Sequence, residues 1–225
     1  MRLSELAWNF MALDEKLIGM TVAFEARHGR KISCQKGCAA CCRHLIPLSP
    51  SEAWLLYDFV ASFPADRKLA VLERIARSKE RLKQEGFDRR FLHSMAGKDE
   101  LQAAGLDYFR LGLACPFLEE ESCAIYPFRP TSCREYLVTT PASYCADPGL
   151  NPVRLVPLAI SLTEVFARLA AVLLGWEPKV IPLVLALDWA EEHLEEGRRR
   201  YDPVSLITLL VETLSNVGSK DEPDQ

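Results

Sequence analysis

The eight cysteines of this 225-residue chain fall into two groups, and no other residue type with chemical reactivity is so concentrated. The first group is compact and runs from Cys34 to Cys42, whereas the second is spread from Cys115 to Cys145. The candidate metal ligands are Cys34, Cys38, Cys41, Cys42, Cys115, Cys123, Cys133 and Cys145. Cysteines that only filled a hydrophobic core would be scattered among the apolar segments. Their segregation therefore predicts a metal centre.

The spacing of the first group suits thiolates that converge on one point. Cys34 and Cys38 are four residues apart, and Cys38 and Cys41 are three apart, so their side chains can face one side of a turn or helix. Cys42 would then point about 100° away on a helix, or reach a second metal. The second group is too widely spaced to complete a local site. We therefore predict that sulfurs from both groups lie within one coordination sphere or cluster.

Disulfide bonds and a nucleophilic cysteine are the main alternatives to a metal. Eight cysteines are too few for a disulfide scaffold of this length, and we see no secretory signal, so we expect a cytoplasmic protein with reduced thiols. A nucleophilic cysteine normally stands alone beside a histidine, and only His28 and His44 are near in sequence. Iron–sulfur clusters accept irregular thiolate spacing, whereas zinc favours paired knuckles. We prefer an iron–sulfur cluster as the cofactor and keep zinc as the alternative.

The elements that must position these cysteines are predicted to be helices. An apolar stripe with gaps of three and four residues marks one amphipathic helix at the N-terminus. The stripe consists of Leu3, Leu6, Phe10, Leu13, Leu17, Met20 and Phe24. It is long enough to pack on a partner helix within the chain, which we favour, or in a homodimer.

Further helices are predicted on both sides of the second cysteine group. Ser49 can cap a helix that Pro50 begins, and Glu52 completes a capping box. The prolines around the second group predict turns there instead. We predict helices at about 50–62, 65–85, 158–174, 179–196 and 203–217, one or two short helices within 87–113, and a short hairpin at 123–126.

These elements predict a mainly α protein with a cysteine-rich, proline-containing irregular segment. We expect one domain over residues 1–225, with the metal-binding region at about 34–145 and a helical C-terminal part at about 151–218. The net charge of -4 argues against nucleic acid as a partner. The basic residues of the 65–85 helix alternate with acidic ones, which indicates a solvated face. No segment has the ~18 uncharged apolar residues of a membrane span, so we expect no membrane association.

The cysteine motifs resemble the YkgJ-type cysteine-cluster family. The resemblance is carried by the CxxxCxxCC motif at 34–42, by Cys-Pro-Phe-Leu at 115–118, and by the stretch from Cys123 to Arg134. Members of that family are described as zinc- or iron-chelating domains. The resemblance implies that seven of the eight cysteines are ligands, and Cys145 fits the pattern least closely. Within the last stretch, the Tyr126 hydroxyl could bond a ligand or the backbone, Arg129 could neutralise thiolate charge or pair with a carboxylate, and Pro130 could hold the turn that leads to Cys133.

Flagellin lysine methylases are similar in the same cysteine pattern, which adds an enzymatic possibility. Three functions therefore remain open: a redox or protein-modifying protein with an iron–sulfur cluster, a zinc-binding structural or metal-handling protein, and a protein-lysine N-methylase-like enzyme with an unknown protein substrate or partner. Whether the chain is an enzyme stays open, and no catalytic residue is assigned. The short match to the radical S-adenosylmethionine motif is rejected, since that fold needs repeated strand–helix units.

Overall fold

A computed structural model describes residues 1–87 and 98–218 of the chain, with a mainly α architecture as predicted. The helices are α1 Leu3–Arg27, α2 Pro50–Ala61, α3 Ala65–Gln84, α4 Lys98–Arg110, α5 Thr131–Glu135, α6 Leu162–Leu174, α7 Ala186–Glu192, α8 Leu194–Arg198 and α9 Pro203–Gly218. The strands are β1 Pro47–Leu48, β2 Leu118–Glu119, β3 Ser122–Cys123 and β4 Ile181–Pro182. Short 3-10 turns lie at Tyr126–Phe128, Ala142–Ala146 and Leu183–Leu185.

Helix α2 lies at the centre of the packing, between α1 and α7. It begins as predicted, because the Ser49 side chain accepts a hydrogen bond from the amide of Glu52 and the Glu52 carboxylate accepts from the amide of Ser49. Helix α6 packs on α2 and α9, and its Leu162, Phe166 and Leu169 are fully buried. The described residues therefore build a hydrophobic core on one side of the cysteine-rich segment.

The chain buries only part of the predicted apolar stripe of α1. Leu3 and Leu6 are fully buried against α2, but Met20 is 69% exposed and Phe24 is 49% exposed. The C-terminal half of α1 instead lines a cleft together with Cys34, Cys38 and Cys41. The preference for an intramolecular core helix thus holds for the first half of α1 alone.

Two local predictions were wrong in position. The predicted helix at 179–196 is divided into β4, a 3-10 turn, α7 and α8. Pro182, the last residue of β4, has no backbone N–H to donate to a helix, and His193 separates α7 from α8. The hairpin lies at β2 and β3, a few residues before the predicted one, with Glu120 and Glu121 at positive φ in its tight turn. Residues 88–97 of the predicted 87–113 helices lie outside the described residues.

No helix among residues 1–87 and 98–218 is both long enough and apolar enough to cross a membrane.

Candidate metal centre

The first cysteine group lies in a chain of consecutive turns, not in a helix. The amide of Cys38 donates to the carbonyl of Gln35 at 3.1 Å, and the amide of Cys42 donates to that of Ala39 at 2.9 Å. Gly37 has a φ of 89°, a conformation that a residue with a Cβ rarely adopts. Tight turns with small residues bring several cysteines into a short space.

The second group is joined directly to the first. The amide of Cys115 donates to the carbonyl of Cys42 at 2.7 Å, which fixes the two groups side by side. The hairpin that follows carries Cys123, and it is anchored in the core by Phe117 and Ile125, which are 1% and 2% exposed. These two buried side chains help to hold the proline-rich segment against the helical body.

Helix α5, which carries Cys133, is held at both ends by carboxylates, the buried Glu52 and the partly buried Glu135. At its start, Glu52 of α2 accepts hydrogen bonds from the amide and the hydroxyl of Thr131, each at 2.8 Å. At its end, Glu135 accepts from the Ser161 hydroxyl at 2.8 Å and from the Leu162 amide at 2.6 Å. A five-residue helix has little stability of its own, so these bonds decide where the Cys133 sulfur lies.

Six cysteines from both groups line one small cavity of about 50 Å³. They are Cys38, Cys41, Cys42, Cys115, Cys123 and Cys133. The two groups, separated by more than seventy residues in sequence, are therefore brought together as the spacing predicted. That these sulfurs bind a common metal stays a prediction.

Cys34 and Cys145 lie next to this cavity rather than in its wall. Charge on Cys41 and Cys38 raises the pKa of both thiols, after burial, which is the larger cause in each case. The Tyr136 hydroxyl donates a hydrogen bond to the sulfur of Cys145, whose pKa is raised to about 11. All eight cysteines consequently belong to one electrostatic neighbourhood.

Backbone amides support the thiolate form of three of these cysteines. The amides of Phe117 and Ile125 donate to the sulfurs of Cys115 and Cys123, in each case from two residues further along the chain. The amide of Val138 donates in the same way to Cys34. Amide donors of this kind orient a metal-binding thiolate and lower the cost of its charge.

The Cys41–Cys42 pair shows how the thiols share protons. A hydrogen bond between the two sulfurs lowers the pKa of Cys41 and raises that of Cys42 well above its ordinary value. Burial raises the pKa of Cys115 to about 12 and raises that of Cys133 strongly. Buried thiols in this number favour binding a cation, which would take the place of their protons.

Arg129 is the cation that acts on the thiols most widely. Its guanidinium opposes the effect of burial on the pKa of Cys34, Cys123 and Cys133. Arg134, directly after Cys133 in sequence, is engaged elsewhere. It donates to Glu15 of α1 at 2.8 Å and to the carbonyl of Arg129 at 2.8 Å, so it braces the segment that carries Arg129.

The two histidines near the first group make backbone contacts. His44 Nε2 lies 2.7 Å from the carbonyl oxygen of Cys145, and burial lowers its pKa. His28 Nδ1 lies 2.9 Å from the carbonyl oxygen of Phe24. Neither contact pairs a histidine with a cysteine sulfur, which leaves the nucleophilic-cysteine alternative without support from the described residues.

As the side chains are placed, the described ranges contain no group of three or more His, Cys, Asp or Glu side chains arranged to hold a metal ion. The Cys34 thiol donates to the carbonyl of Tyr136 at 3.6 Å. The ligand set therefore stays a prediction, whereas the donor chemistry, soft sulfur in a small protein-lined cavity, fits zinc or iron–sulfur.

A wider cleft of about 510 Å³ opens beside the cysteine cavity. The C-terminal half of α1 forms one wall, and the chain on both sides of Arg129 forms another. Cys38, Cys41 and Cys133 line both spaces, so the cavity is bordered by a region large enough for a small molecule.

The comparison with known families decides the classification of the chain. Residues 33–148 match the family model CxxCxxCC, described as a "putative zinc- or iron-chelating domain". The chain belongs to the CxxCxxCC family. The matched residues span all eight cysteines and the whole cavity, so membership supports metal binding at this place. Neither a curated protein nor a solved structure matches the chain with significance.

Sequence reasoning did not predict the residues that surround the CxxCxxCC cysteines and act on their sulfurs. Tyr136 and the amides of Phe117, Ile125 and Val138 were not predicted to contact sulfur. The position of Phe117 and Ile125, each two residues after a cysteine, was an available signal for two of these amides. Tyr136 and Val138 reach their cysteines only through the tertiary fold, so no local spacing could have indicated them.

Asp14 of α1, which lies close to this site, should make the stability of the protein depend on pH. Its side chain is 2% exposed, its Oδ2 has no hydrogen-bond partner in the described ranges, and burial raises its pKa to about 7. The folded protein therefore keeps a proton at Asp14 that the unfolded chain loses near its ordinary pKa of 3.8, so stability falls as the pH rises towards 7.

Asp14→Asn should remove this dependence. We expect the free energy of unfolding of the variant, relative to wild type, to increase by about 2 kcal/mol between pH 5 and pH 8 in urea titrations. Glu73→Gln, which neutralises a carboxylate on the exposed face of α3, should show the same change in stability between pH 5 and pH 8 as wild type. If the free energies of unfolding of Asp14→Asn and wild type differ by the same amount at pH 5 and at pH 8, Asp14 is ionised in the folded protein at pH 5.

Proposed function

We propose that the chain holds an iron–sulfur centre through cysteines of both groups and acts in redox or protein-modification chemistry. The observation that carries the proposal is the single cavity lined by six cysteines. A bound iron–sulfur centre would supply one-electron transfer.

The size and the donor set of the cavity support a centre with several atoms. A volume of about 50 Å³ is several times the ~10–15 Å³ that one water molecule needs, so the space exceeds that of a single ion. Six thiols exceed the four ligands of one tetrahedral zinc and also the four thiolates of one iron–sulfur cluster, so their number is compatible with either centre. The irregular spacing of Cys115, Cys123 and Cys133 is typical of cluster ligands that come together only in the fold.

The chain's own residues would hold such a centre in three ways. The tight turns around Gly37 and the anchored hairpin position the sulfurs. The amides of Phe117, Ile125 and Val138 would donate to bound thiolates and tune their basicity. Arg129 would balance part of the negative charge that several thiolates bring into a buried site.

Two zinc ions are the second candidate, and the electrostatic grouping of the cysteines favours it. Cys42, Cys115, Cys123 and Cys133 interact among themselves, whereas Cys34, Cys38 and Cys145 form a second set. The charge of Cys41 acts on members of both sets. Eight thiolates arranged in this way could fill two four-ligand zinc sites with a structural or metal-handling role.

A lysine-methylating activity receives less support from the charges. The cleft beside the cysteines is lined by Arg30, Lys31, Arg129 and Arg134, with Glu15 as its acidic residue. A lysine ammonium would be repelled by that excess of positive charge. The cleft therefore disfavours a lysine side chain as the group that approaches the cysteines.

Metal analysis of protein purified without oxygen, combined with a visible absorption spectrum, tests the proposal. We expect iron and acid-labile sulfide in equal amounts, with a broad visible absorption that disappears on exposure to air. A colourless protein with two zinc ions per chain would replace the proposal with the second candidate. Protein that retains neither iron nor zinc after reconstitution would overturn both.

A further inference from the structure

The 510 Å³ cleft has one apolar wall and one cationic wall. Ile18, Val22 and Ala26 of α1 form the apolar wall, and Val22 is 40% exposed. Arg129 and the ring of Tyr126 also line the cleft. A ligand that fits these surfaces has a hydrocarbon part and an acidic group.

The positive charge in the cleft is only partly balanced by the chain. Arg134 pairs with Glu15 at 2.8 Å, and Arg30 donates to Glu25 at 3.0 Å. Lys31 and Arg129 form no ion pair with any residue in the described ranges. Glu15, the acidic residue of the cleft, is paired with Arg134, so Lys31 and Arg129 face the space without a carboxylate partner among the described residues.

Arg129 is held in a fixed position for contact with a ligand. Its guanidinium carbon lies 3.7 Å from the centre of the Tyr126 ring, and its Nε donates to the carbonyl of Tyr126 at 3.2 Å. Its two terminal nitrogens make no hydrogen bond to a described residue. A stacked guanidinium with free terminal N–H groups presents two parallel donors, which match the oxygens of a carboxylate or a phosphate.

Arg129 and Tyr126 also line the cysteine cavity, together with Cys38, Cys41 and Cys133. An acidic group bound to the guanidinium would thus lie at the border between the cleft and the cysteines. This position distinguishes the cleft from the aromatic groove between α1 and α2, around Trp8 and Phe59, which does not adjoin a cysteine.

We propose that this cleft binds a small organic anion whose carboxylate or phosphate group pairs with Arg129 and Lys31 while its hydrocarbon part lies against α1. The anion is the substrate or effector of the cysteine centre, and this role rests on the proposed function. Binding itself needs only the cleft, because its apolar wall and its cations are present without a metal.

The test uses three probes with the same six-carbon tail: hexanoate, hexyl phosphate and hexylamine, which is a cation at neutral pH. Each is titrated into the full-length, zinc-loaded protein, and binding is followed by amide chemical shifts in nuclear magnetic resonance spectra. We expect hexanoate or hexyl phosphate to shift amides around Val22, Lys31 and Tyr126, and hexylamine to leave them unchanged. The stronger of the two anions identifies the acidic group.

Substitutions of cleft residues test whether anion binding depends on the cleft rather than on the cysteines. Arg129→Gln should weaken anion binding about tenfold, since it removes a charge-assisted pair. Lys31→Gln should weaken it about fivefold, and Val22→Glu, which places a negative charge on the apolar wall, at least as much. Neither Lys31 nor Val22 lines the cysteine cavity. Arg27→Gln, which removes an exposed charge of α1 outside the cleft, is the matched control and should change the affinity less than twofold.

The metal content of the same samples distinguishes this inference from the proposed function. Anion binding that persists in protein unable to hold metal supports the cleft and removes its link to a metal centre. Zinc-loaded protein in which neither anion shifts the cleft amides overturns the inference alone. Binding of hexylamine as tight as that of hexanoate, or shifts confined to the groove around Trp8, overturns it as well.

Discussion

Serine at Cys38 and, separately, serine at Cys123 should each abolish the same metal signal. The two residues come from different groups and line one cavity, so removing either sulfur opens the same coordination sphere. Because metal binding is linked to folding, each substitution should also lower the melting temperature of metal-loaded protein by about 10 °C, the equivalent of about 3–5 kcal/mol for a chain of this size.

The control for these variants is Ser122→Ala, which changes an exposed side chain directly beside Cys123. It should keep full metal content and a wild-type melting temperature. Metal content and thermal unfolding are measured on protein reconstituted under the same conditions, with and without a chelator. If Cys123→Ser keeps the metal and the stability of wild type while Cys38→Ser loses both, the first group binds metal alone and the shared centre is wrong.

Glu52→Ala should destabilise the protein by about 3–5 kcal/mol. The Glu52 carboxylate is 3% exposed and accepts hydrogen bonds from the amides and hydroxyls of Ser49 and Thr131. Alanine leaves those buried donors without an acceptor and loosens both the start of α2 and the start of α5. Glu52→Gln keeps the shape with one fewer acceptor oxygen, so it should cost about half as much.

Urea unfolding of metal-free protein measures this effect, since the metal then makes no contribution. Glu191→Gln in α7 is the matched control, because the same substitution at an exposed carboxylate should change the free energy of unfolding by less than about 0.5 kcal/mol. A loss below about 1 kcal/mol for Glu52→Ala would mean that water satisfies the donors and that the network does not fix α5.

The sequence predicted the start of α2 and the convergence of the cysteines for local and chemical reasons. Ser49, Pro50 and Glu52 specify a helix start through bonds between residues three apart, which need no tertiary contact. The cysteines of the first group are close in sequence, and the second group could complete no site alone. A shared position was thus implied by ligand number, although not by any contact.

The sequence did not predict which parts of the apolar pattern would be buried. Met20 and Phe24 continue the stripe of Leu3 and Leu6 without a break, yet α2 is about half the length of α1 and covers only its first part. The pattern of a helix shows which face is apolar, whereas the length of its neighbour decides how much of that face is covered.

What the sequence by itself determined is the chemistry: eight thiols in two groups, helices on both sides, and a cation at Arg129. What only the tertiary structure decided is the surroundings of those thiols. The double role of Glu52, the contact of Tyr136 with Cys145 and the cleft along α1 join residues that are 79, nine and more than a hundred positions apart. Contacts at such separations depend on how the helices pack, because packing and not local spacing brings these side chains within reach of one another.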